Sequence, residues 1–251
     1  MSAAAIVQLI PHDGPVTFTS RAGQNLRLEF SVETVASLRH GTPAAARIAR
    51  AVVDTESGAP LAAADLARLP DEDHLRIDEE TFVFSNLTLD AANTPSILIV
   101  PISFHTLAGR KGRRELTERI GERLKTRVLL ELMDVDRGTP LSRLSEVGGL
   151  ATLLSRGVLV RLAAGRDPTA AVRGYRPHGV TLDACDLGAT DTDLASGMLA
   201  FGEQAKGSAP TLMVFGLPSE DFFAVASVGG ITHASARRAA SASADPDGSE
   251  R

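Results

Sequence analysis

The chain has little of what several classes of protein require. Its 251 residues include one cysteine, Cys185, one tyrosine and no tryptophan, and aromatic residues make up 4%. A single cysteine excludes a disulfide within the chain and any zinc site built on several cysteines. The scarcity of aromatic side chains argues against a module that stacks on nucleic-acid bases. The core must therefore be built mainly from aliphatic residues.

Long apolar runs and an excess of basic charge are also missing. No apolar segment approaches the roughly 18 residues that a membrane-spanning helix needs. The first six residues lack the basic start and apolar block of a signal peptide. The formal net charge is −5, so no broad basic face for duplex nucleic acid is expected. We predict a cytoplasmic protein with no nucleic-acid partner and no membrane partner.

What the sequence does contain is a regular alternation of strand and helix signals. Apolar runs predict strands at 96–103, 158–162 and 211–215, and helical spacing of apolar residues predicts helices such as 191–205. This alternation indicates a parallel sheet with right-handed crossovers. About eight such units in a chain of this length favour an α/β fold, a TIM-like (β/α)8 barrel.

The boundaries of this pattern are visible in the composition. Residues 236–251 are rich in alanine, serine, aspartate and arginine without periodicity, which predicts a disordered tail. Residues 1–23 form a leader with one short strand indicated near 16–19, so the barrel is expected over 24–235. Within the barrel, 45–53 is compatible with a strand or a helix, and 113–125 predicts one amphipathic helix.

Several predicted strands carry short motifs in a recognisable order. The segment 100–103 is VPIS, 130–134 is LELMD, 180–183 is VTLD and 213–217 is MVFGL. In this order and spacing they resemble the N-x-S, E-x-T-E, K-x-D and A-E-G-V-E strands of EAL domains, the cyclic di-GMP phosphodiesterase family. The resemblance covers 24–235 and implies a barrel in which one early strand, 25–32, runs antiparallel to its neighbours.

The resemblance also shows which of the family's chemical groups are replaced. Active members hydrolyse a phosphodiester with two divalent metals held by oxygen ligands. The family's Asn, two Asp, Lys and a later Glu correspond here to Pro101, Ala163, Ala164, Thr181 and Phe215. The strand expected within 44–53 contains no acid. Glu131 remains, with Asp134 and Asp183, and so few carboxylates do not organise two metals. We predict no metal, no cofactor and no catalytic residue.

The groups left at the predicted barrel mouth are the candidate ligand-binding residues, namely Glu131, Arg161, Asp183 and Phe215. Glu131 is expected to pair with Arg161, and Asp183 to cap the segment that follows it. Two arrangements of the mouth are open. A pocket with Phe215 at its floor and two polar groups has the usual composition of a small-molecule site. A mouth filled by its own side chains is the favoured alternative.

Three further features concern single residues or short clusters. His105 and His233 would form a single-metal site with Glu131 if the fold brought them together. The run RKGRR at 110–114 is either a solvated loop or a contact for phosphate or an acidic partner. Cys185 is expected to be a buried, unreactive thiol.

The function predicted from these observations is that of a catalytically inactive EAL-like barrel, a regulatory or protein-interaction module in bacterial signalling. The expected partner is another protein. Two alternatives stay open: a receptor that binds cyclic di-GMP without hydrolysing it, and an enzyme with an unrecognised site at the barrel mouth. The receptor ranks below the scaffold because family members that bind the dinucleotide use many of the residues missing here.

Overall fold

Nine strands and eight helices follow one another in the computed structural model, which describes residues 15–90, 96–120, 122–135, 138–163 and 167–237. The strands are β1 Val16–Thr19, β2 Asn25–Ser37, β3 Thr42–Asp54, β4 Leu98–Ser103, β5 Val128–Met133, β6 Gly157–Arg161, β7 Gly179–Asp183, β8 Leu212–Leu217 and β9 His233–Ala236. The helices are α1 Ala63–Leu66, α2 Asp71–Asp90, α3 Phe104–Ala108, α4 Arg110–Arg119, α5 Glu122–Arg127, α6 Leu141–Leu154, α7 Asp191–Ala205 and α8 Phe223–Val228.

The strands close into a barrel of eight. Each strand from β3 to β8 pairs in parallel with the next, and β2 pairs antiparallel with both β3 and β9. The ninth strand, β1, is added antiparallel to β2 outside this ring. This arrangement confirms the predicted (β/α)8-type barrel and its early antiparallel strand.

Two local predictions are resolved or corrected by the structure. The segment 45–53, compatible with a strand or a helix, forms most of β3, where successive side chains alternate between the two faces of the sheet. The single helix expected at 113–125 is wrong. The observed helix, α4, begins earlier, at Arg110, and ends at Arg119. It ends there because Ile120 adopts an extended backbone (φ −82°, ψ 91°) and is buried. A second short helix, α5, then leads into β5.

The ends of the chain lie mostly outside the described residues. The leader predicted for 1–23 is described only from residue 15, where β1 forms, and the tail predicted for 236–251 only through residue 237. The last described strand, β9, ends at Ala236. Within the described part of the chain, none of the helices combines the length and apolar character that crossing a membrane requires.

The hydrophobic core includes a cluster that joins β1, β2 and α2 through residues such as Phe18, Leu28 and Ile77, and two parts on the two faces of the parallel strands. The larger part lies between the sheet and the helices, and includes Leu98, Leu130 and Val160. The smaller part fills the lumen, and its buried members are Val35, Ala45, Ile99, Leu159, Met213 and Phe215. Strands buried on both faces explain the continuous apolar runs in the sequence.

The close approach of α7 to the turn after α8 provides a test of the packing. A Cβ added to Gly202 would lie 1.6 Å from the carbonyl oxygen of Gly229. We expect Gly202→Ala to lower the free energy of unfolding by about 1–3 kcal/mol, measured by urea denaturation, because the helix must shift to make room.

The matched control is Gly149→Ala in α6, where an added Cβ meets nothing within 4 Å. That substitution is expected to raise stability by about 0.5–1 kcal/mol, since alanine is the better helix former. Equal effects of the two substitutions would contradict the packing of α7 described here.

Candidate functional site

Polar side chains occupy the lumen near the C-terminal ends of the parallel strands. Four strands, β3, β5, β6 and β7, each place one polar side chain in the lumen. Each of these side chains lies two positions after a small or aliphatic residue of the same strand. They are Arg47, Glu131, Arg161 and Thr181. The C-terminal end of the strands is where (β/α)8 barrels place their functional sites. The polar layer is therefore the candidate site.

Glu131 is the centre of this layer. Its Oε1 accepts hydrogen bonds from Nε of Arg161 at 3.1 Å and from Oγ1 of Thr181 at 2.6 Å, and its Oε2 accepts one from Nε of Arg47 at 3.3 Å. The residue has no exposed surface. Both carboxylate oxygens are therefore engaged by groups on three other strands of the barrel, β3, β6 and β7.

Arg47 connects Glu131 to the opposite wall of the barrel. Its Nη1 donates to Oε2 of Glu33 at 3.2 Å, and the same oxygen accepts a hydrogen bond from Oγ of Ser235 at 2.7 Å. The guanidinium carbon also lies 4.4 Å from the centroid of the Phe215 ring. Arg47 is thus held by the carboxylates of Glu33 and Glu131, with that of Asp183 at 4.0 Å, and by the face of an aromatic ring.

Asp183 completes the layer at the rim. Nη2 of Arg161 lies 3.5 Å from its Oδ2, and Nη2 of the more exposed Arg237 lies 3.9 Å from its Oδ1. Oδ1 of Asp183 also accepts a hydrogen bond from the backbone N–H of Cys185, which caps the turn Ala184–Asp186. The capping role expected for Asp183 is present.

Groups of opposite charge surround Glu131, and they determine whether its carboxyl group is ionised. Burial by itself raises the pKa of Glu131, but Arg161, Arg47 and the hydroxyl of Thr181 outweigh burial and lower that pKa to about 2. Burial likewise opposes the charged form of Arg161, yet Glu131 and Asp183 raise the pKa of its guanidinium. Glu131 and Arg161 therefore both stay charged near neutral pH.

The structure brings the four predicted site residues together, through one residue that the sequence analysis missed. Glu131 pairs with Arg161 as expected, Asp183 contacts both Arg161 and Arg47, and Phe215 joins them by way of Arg47. Phe215 is fully buried beneath Arg47, which does not fit the less favoured alternative of a pocket with Phe215 at its floor. The favoured alternative, a mouth filled by its own side chains, describes this lumen.

The positions of the replaced motif residues follow from the same strands. Pro101 of β4 is buried and is the register partner of Glu131. Ala163 lies just past β6 and is exposed, so an acid there would face solvent. Ala164, the second replaced position after β6, lies outside the described residues.

Two further predictions are corrected. His233 is at the start of β9, opposite Met213 and Ser37, and so lies at the far end of the strand from the mouth. It does not form a metal site with Glu131, and no group of three potential ligands is found among the described residues. Cys185 is exposed rather than buried. Partial desolvation and the nearby Asp183 carboxylate raise the pKa of its thiol to about 12, so the reactive thiolate is scarce.

A second polar cluster lies beside the lumen, where α2 and α3 pack over the ends of β4 and β5. The buried ring of His74 stacks on His105, with centroids 5.6 Å apart. Four buried side-chain atoms find no hydrogen-bond partner among the described residues: Nε2 of His74, Oγ of Ser103, Oγ1 of Thr106 and Oδ2 of Asp134. Asp134 also adopts a left-handed backbone (φ 60°). Burial lowers the pKa of His74, which favours its neutral form.

Comparison with known sequences gives no match. No protein-family model matches this chain. No curated protein matches it either.

Comparison with solved structures, by contrast, gives clear neighbours. The BlrP1 protein of Klebsiella pneumoniae, in complex with manganese and cyclic di-GMP, is matched over 88% of this chain with a TM-score of 0.57 and 12% identity. An EAL-domain protein of Listeria monocytogenes EGD-e matches over 83% of this chain and 85% of its own, with a TM-score of 0.58 and 11% identity. The EAL domain of FimX from Pseudomonas aeruginosa, bound to cyclic di-GMP, matches over 83% and 88%, with a TM-score of 0.57 and 14% identity.

These likenesses define the class of fold. The chain has the barrel of the EAL domains, with the same kind of closed sheet and helical shell. It spans 57% of the length of the BlrP1 chain. At this level of identity the comparison establishes the architecture, and the chemistry must be argued from the residues in the lumen.

Proposed function

We propose that this barrel is a catalytically inactive EAL-type domain that acts in the cytoplasm as a regulatory or protein-interaction module in bacterial signalling. The observation that carries the proposal is the hydrogen bonding and burial of Glu131. Its two oxygens are bound by Arg47, Arg161 and Thr181, and the residue has no exposed surface. A carboxylate in this position is a counter-ion of arginine and not a free ligand.

Metal-dependent hydrolysis requires oxygen ligands that converge on an accessible cation. Here the lumen already holds two cations, because a guanidinium does not lose its proton in a protein. A divalent metal at Glu131 would have to displace Arg47 and Arg161 and would meet their positive charge while doing so. Both arginines also bind second carboxylates, Glu33 and Asp183. The network therefore opposes metal entry at each of its carboxylates.

A receptor that binds cyclic di-GMP without cleaving it is the second candidate function. BlrP1 and FimX hold the dinucleotide on the same fold. In this chain the side chain of Arg237 is 61% exposed at the rim of the mouth, where a phosphate group has access to it. The scaffold proposal is preferred because the rest of the mouth is filled and its charges are paired.

The test of the proposal is a hydrolysis assay with cyclic di-GMP in the presence of Mg²⁺ or Mn²⁺. We expect no linear dinucleotide or mononucleotide product above a protein-free control, while an active EAL phosphodiesterase in parallel gives turnover. Turnover that disappears with EDTA and in Glu131→Gln would show that the arginines are displaced and that the proposal is wrong. Calorimetric titration with the same dinucleotide separates the receptor from a scaffold that does not bind it.

A further inference from the structure

The first turn of α4 concentrates positive charge in a chain whose net charge is negative. Arg110, Lys111, Arg113 and Arg114 occupy four of the first five positions of this ten-residue helix, and its first turn contains no acidic residue. The helix begins at Gly109 without a side-chain cap. Neither the barrel core nor the lumen network accounts for this cluster.

This arrangement is unfavourable for the helix itself. The N-terminal end of a helix carries partial positive charge, so cations there are repelled. Arg110 also has Arg113 and Arg114 at the i+3 and i+4 positions, where like charges repel. A residue pattern that costs local stability and adds nothing to the core is typical of a functional surface.

The helix is nevertheless held firmly against the barrel. Leu116 is fully buried. Gly112 lies so close to α3 that a Cβ there would stand 2.3 Å from the carbonyl oxygen of Thr106. Only glycine permits this approach, and it fixes the backbone that carries the flanking arginines. The cationic groups are thus presented on a rigid support.

Neighbouring acids neutralise only part of this charge. Arg113 pairs with Glu146 of α6 at 3.0 Å, but that carboxylate also binds Arg143 at 2.7 Å. Arg114 lies 3.9 Å from Glu115, and its side chain is 71% exposed. Arg110 is exposed and makes no ion pair with any described residue. The surface keeps an excess of positive charge.

The exposed guanidinium groups line a common groove. Its volume is about 430 Å³, and it is bordered by Arg110, Arg113, Arg114, Thr117 and Glu118, which we call the arginine groove. Small-molecule sites are enclosed and mostly apolar, whereas this groove is a shallow surface feature with charged walls. Arginine is enriched at protein–protein interfaces, and it binds carboxylates through two parallel hydrogen bonds.

We propose that the arginine groove docks an acidic segment of a partner protein, whose carboxylates pair with Arg110, Arg113 and Arg114. This inference deepens the proposed interaction function and rests on it. The positive charge of the groove, in a chain of net charge −5, selects an acidic segment and rejects basic ones.

The experiment uses the full chain and a fluorescein-labelled decaglutamate peptide, with decaglutamine as the uncharged probe. We expect a saturable rise in anisotropy with decaglutamate that weakens as salt increases, and no binding of decaglutamine. Arg110→Gln with Arg114→Gln is expected to weaken binding about tenfold. The melting temperature of this variant should equal or exceed that of the wild type, because the repulsion at the helix N-terminus is relieved.

The matched control is Arg39→Gln with Arg156→Gln, which removes the same charge from exposed positions at the opposite end of the barrel. This control should bind decaglutamate as the wild type does. Equal weakening in both variants would show that peptide binding depends on the overall charge of the protein and not on the groove, and it would overturn the proposal. Displacement of the peptide by low concentrations of inorganic pyrophosphate would also overturn it, in favour of a phosphate ligand. Neither result affects the hydrolysis assay. Failure of the proposal that the groove docks an acidic segment is therefore distinguishable from failure of the proposal that the barrel is catalytically inactive.

Discussion

Glu131→Leu is expected to lower the free energy of unfolding by about 3–5 kcal/mol. The substitution keeps an aliphatic side chain of similar size in the lumen but leaves Arg47 and Arg161 without their shared acceptor. Arg47, whose side chain is 5% exposed, is too deeply buried to be solvated. Urea denaturation, with the slope of the transition checked against the wild type, measures the loss.

Two comparisons show whether the cost arises from unpaired buried charge. Glu146→Leu removes a carboxylate that also binds two arginines, but on the surface, and is expected to cost less than about 1 kcal/mol. Glu131→Leu combined with Arg47→Met and Arg161→Met should recover part of the lost stability, because both buried cations are removed together with their shared acceptor, while Glu33 and Asp183, which lose their arginine partners, keep some access to water. A near-neutral effect of Glu131→Leu alone would mean that water reaches the lumen.

Acid is expected to destabilise the protein through the same carboxylate. The pKa of Glu131 is about 2 in the folded chain and 4.5 ordinarily. Below pH 4.5 the unfolded chain therefore binds a proton at this residue that the folded chain does not bind, which favours unfolding. The stabilisation from Glu131 is complete above pH 4.5 and is lost as the pH falls to about 2. Its full size is about 3 kcal/mol, from 1.36 kcal/mol per pKa unit.

The measurement is the free energy of unfolding as a function of pH for the wild type and Glu131→Gln. The variant has no proton to bind at this position, so the difference between the two proteins should shrink between pH 4.5 and 2. Curves that run parallel through this range would place the pKa of Glu131 near its ordinary value. The arginines would then not hold the carboxylate in its charged form.

The sequence predicts some elements well because their signals are local. The strand at 179–183 and the helix at 191–205 are found at the predicted residues. Each is bounded by turn-forming or capping residues such as Thr190, whose hydroxyl accepts from the backbone N–H of Asp193. The alanine-rich sequence of β3 is compatible with a strand or a helix. Its apolar residues indicate a strand only when both faces of that strand are known to be buried.

Part of the candidate site could likewise be predicted from local sequence signals, and part could not. Glu131 and Arg161 lie on adjacent parallel strands with an apolar residue two positions before each, so their pairing follows from the strand prediction. Arg47 and Glu33 belong to the β2–β3 hairpin, and their part in the site depends on how the barrel closes. That closure joins strands from the two ends of the fold, for which the local sequence holds no signal. The central cation was therefore missed.

The closure of the barrel by β2 and β9 also orders events during synthesis of the chain. Val35 pairs with Ser235, and the hydrogen bond from Ser235 to Glu33 joins residues 202 positions apart. Until β9 leaves the ribosome, residues 35–37 of β2 lack their strand partner and Glu33 lacks the hydroxyl of Ser235. Such long-range pairing slows folding, and an open strand edge invites pairing with other chains. β9 thus closes the sheet and completes the hydrogen bonding of Glu33.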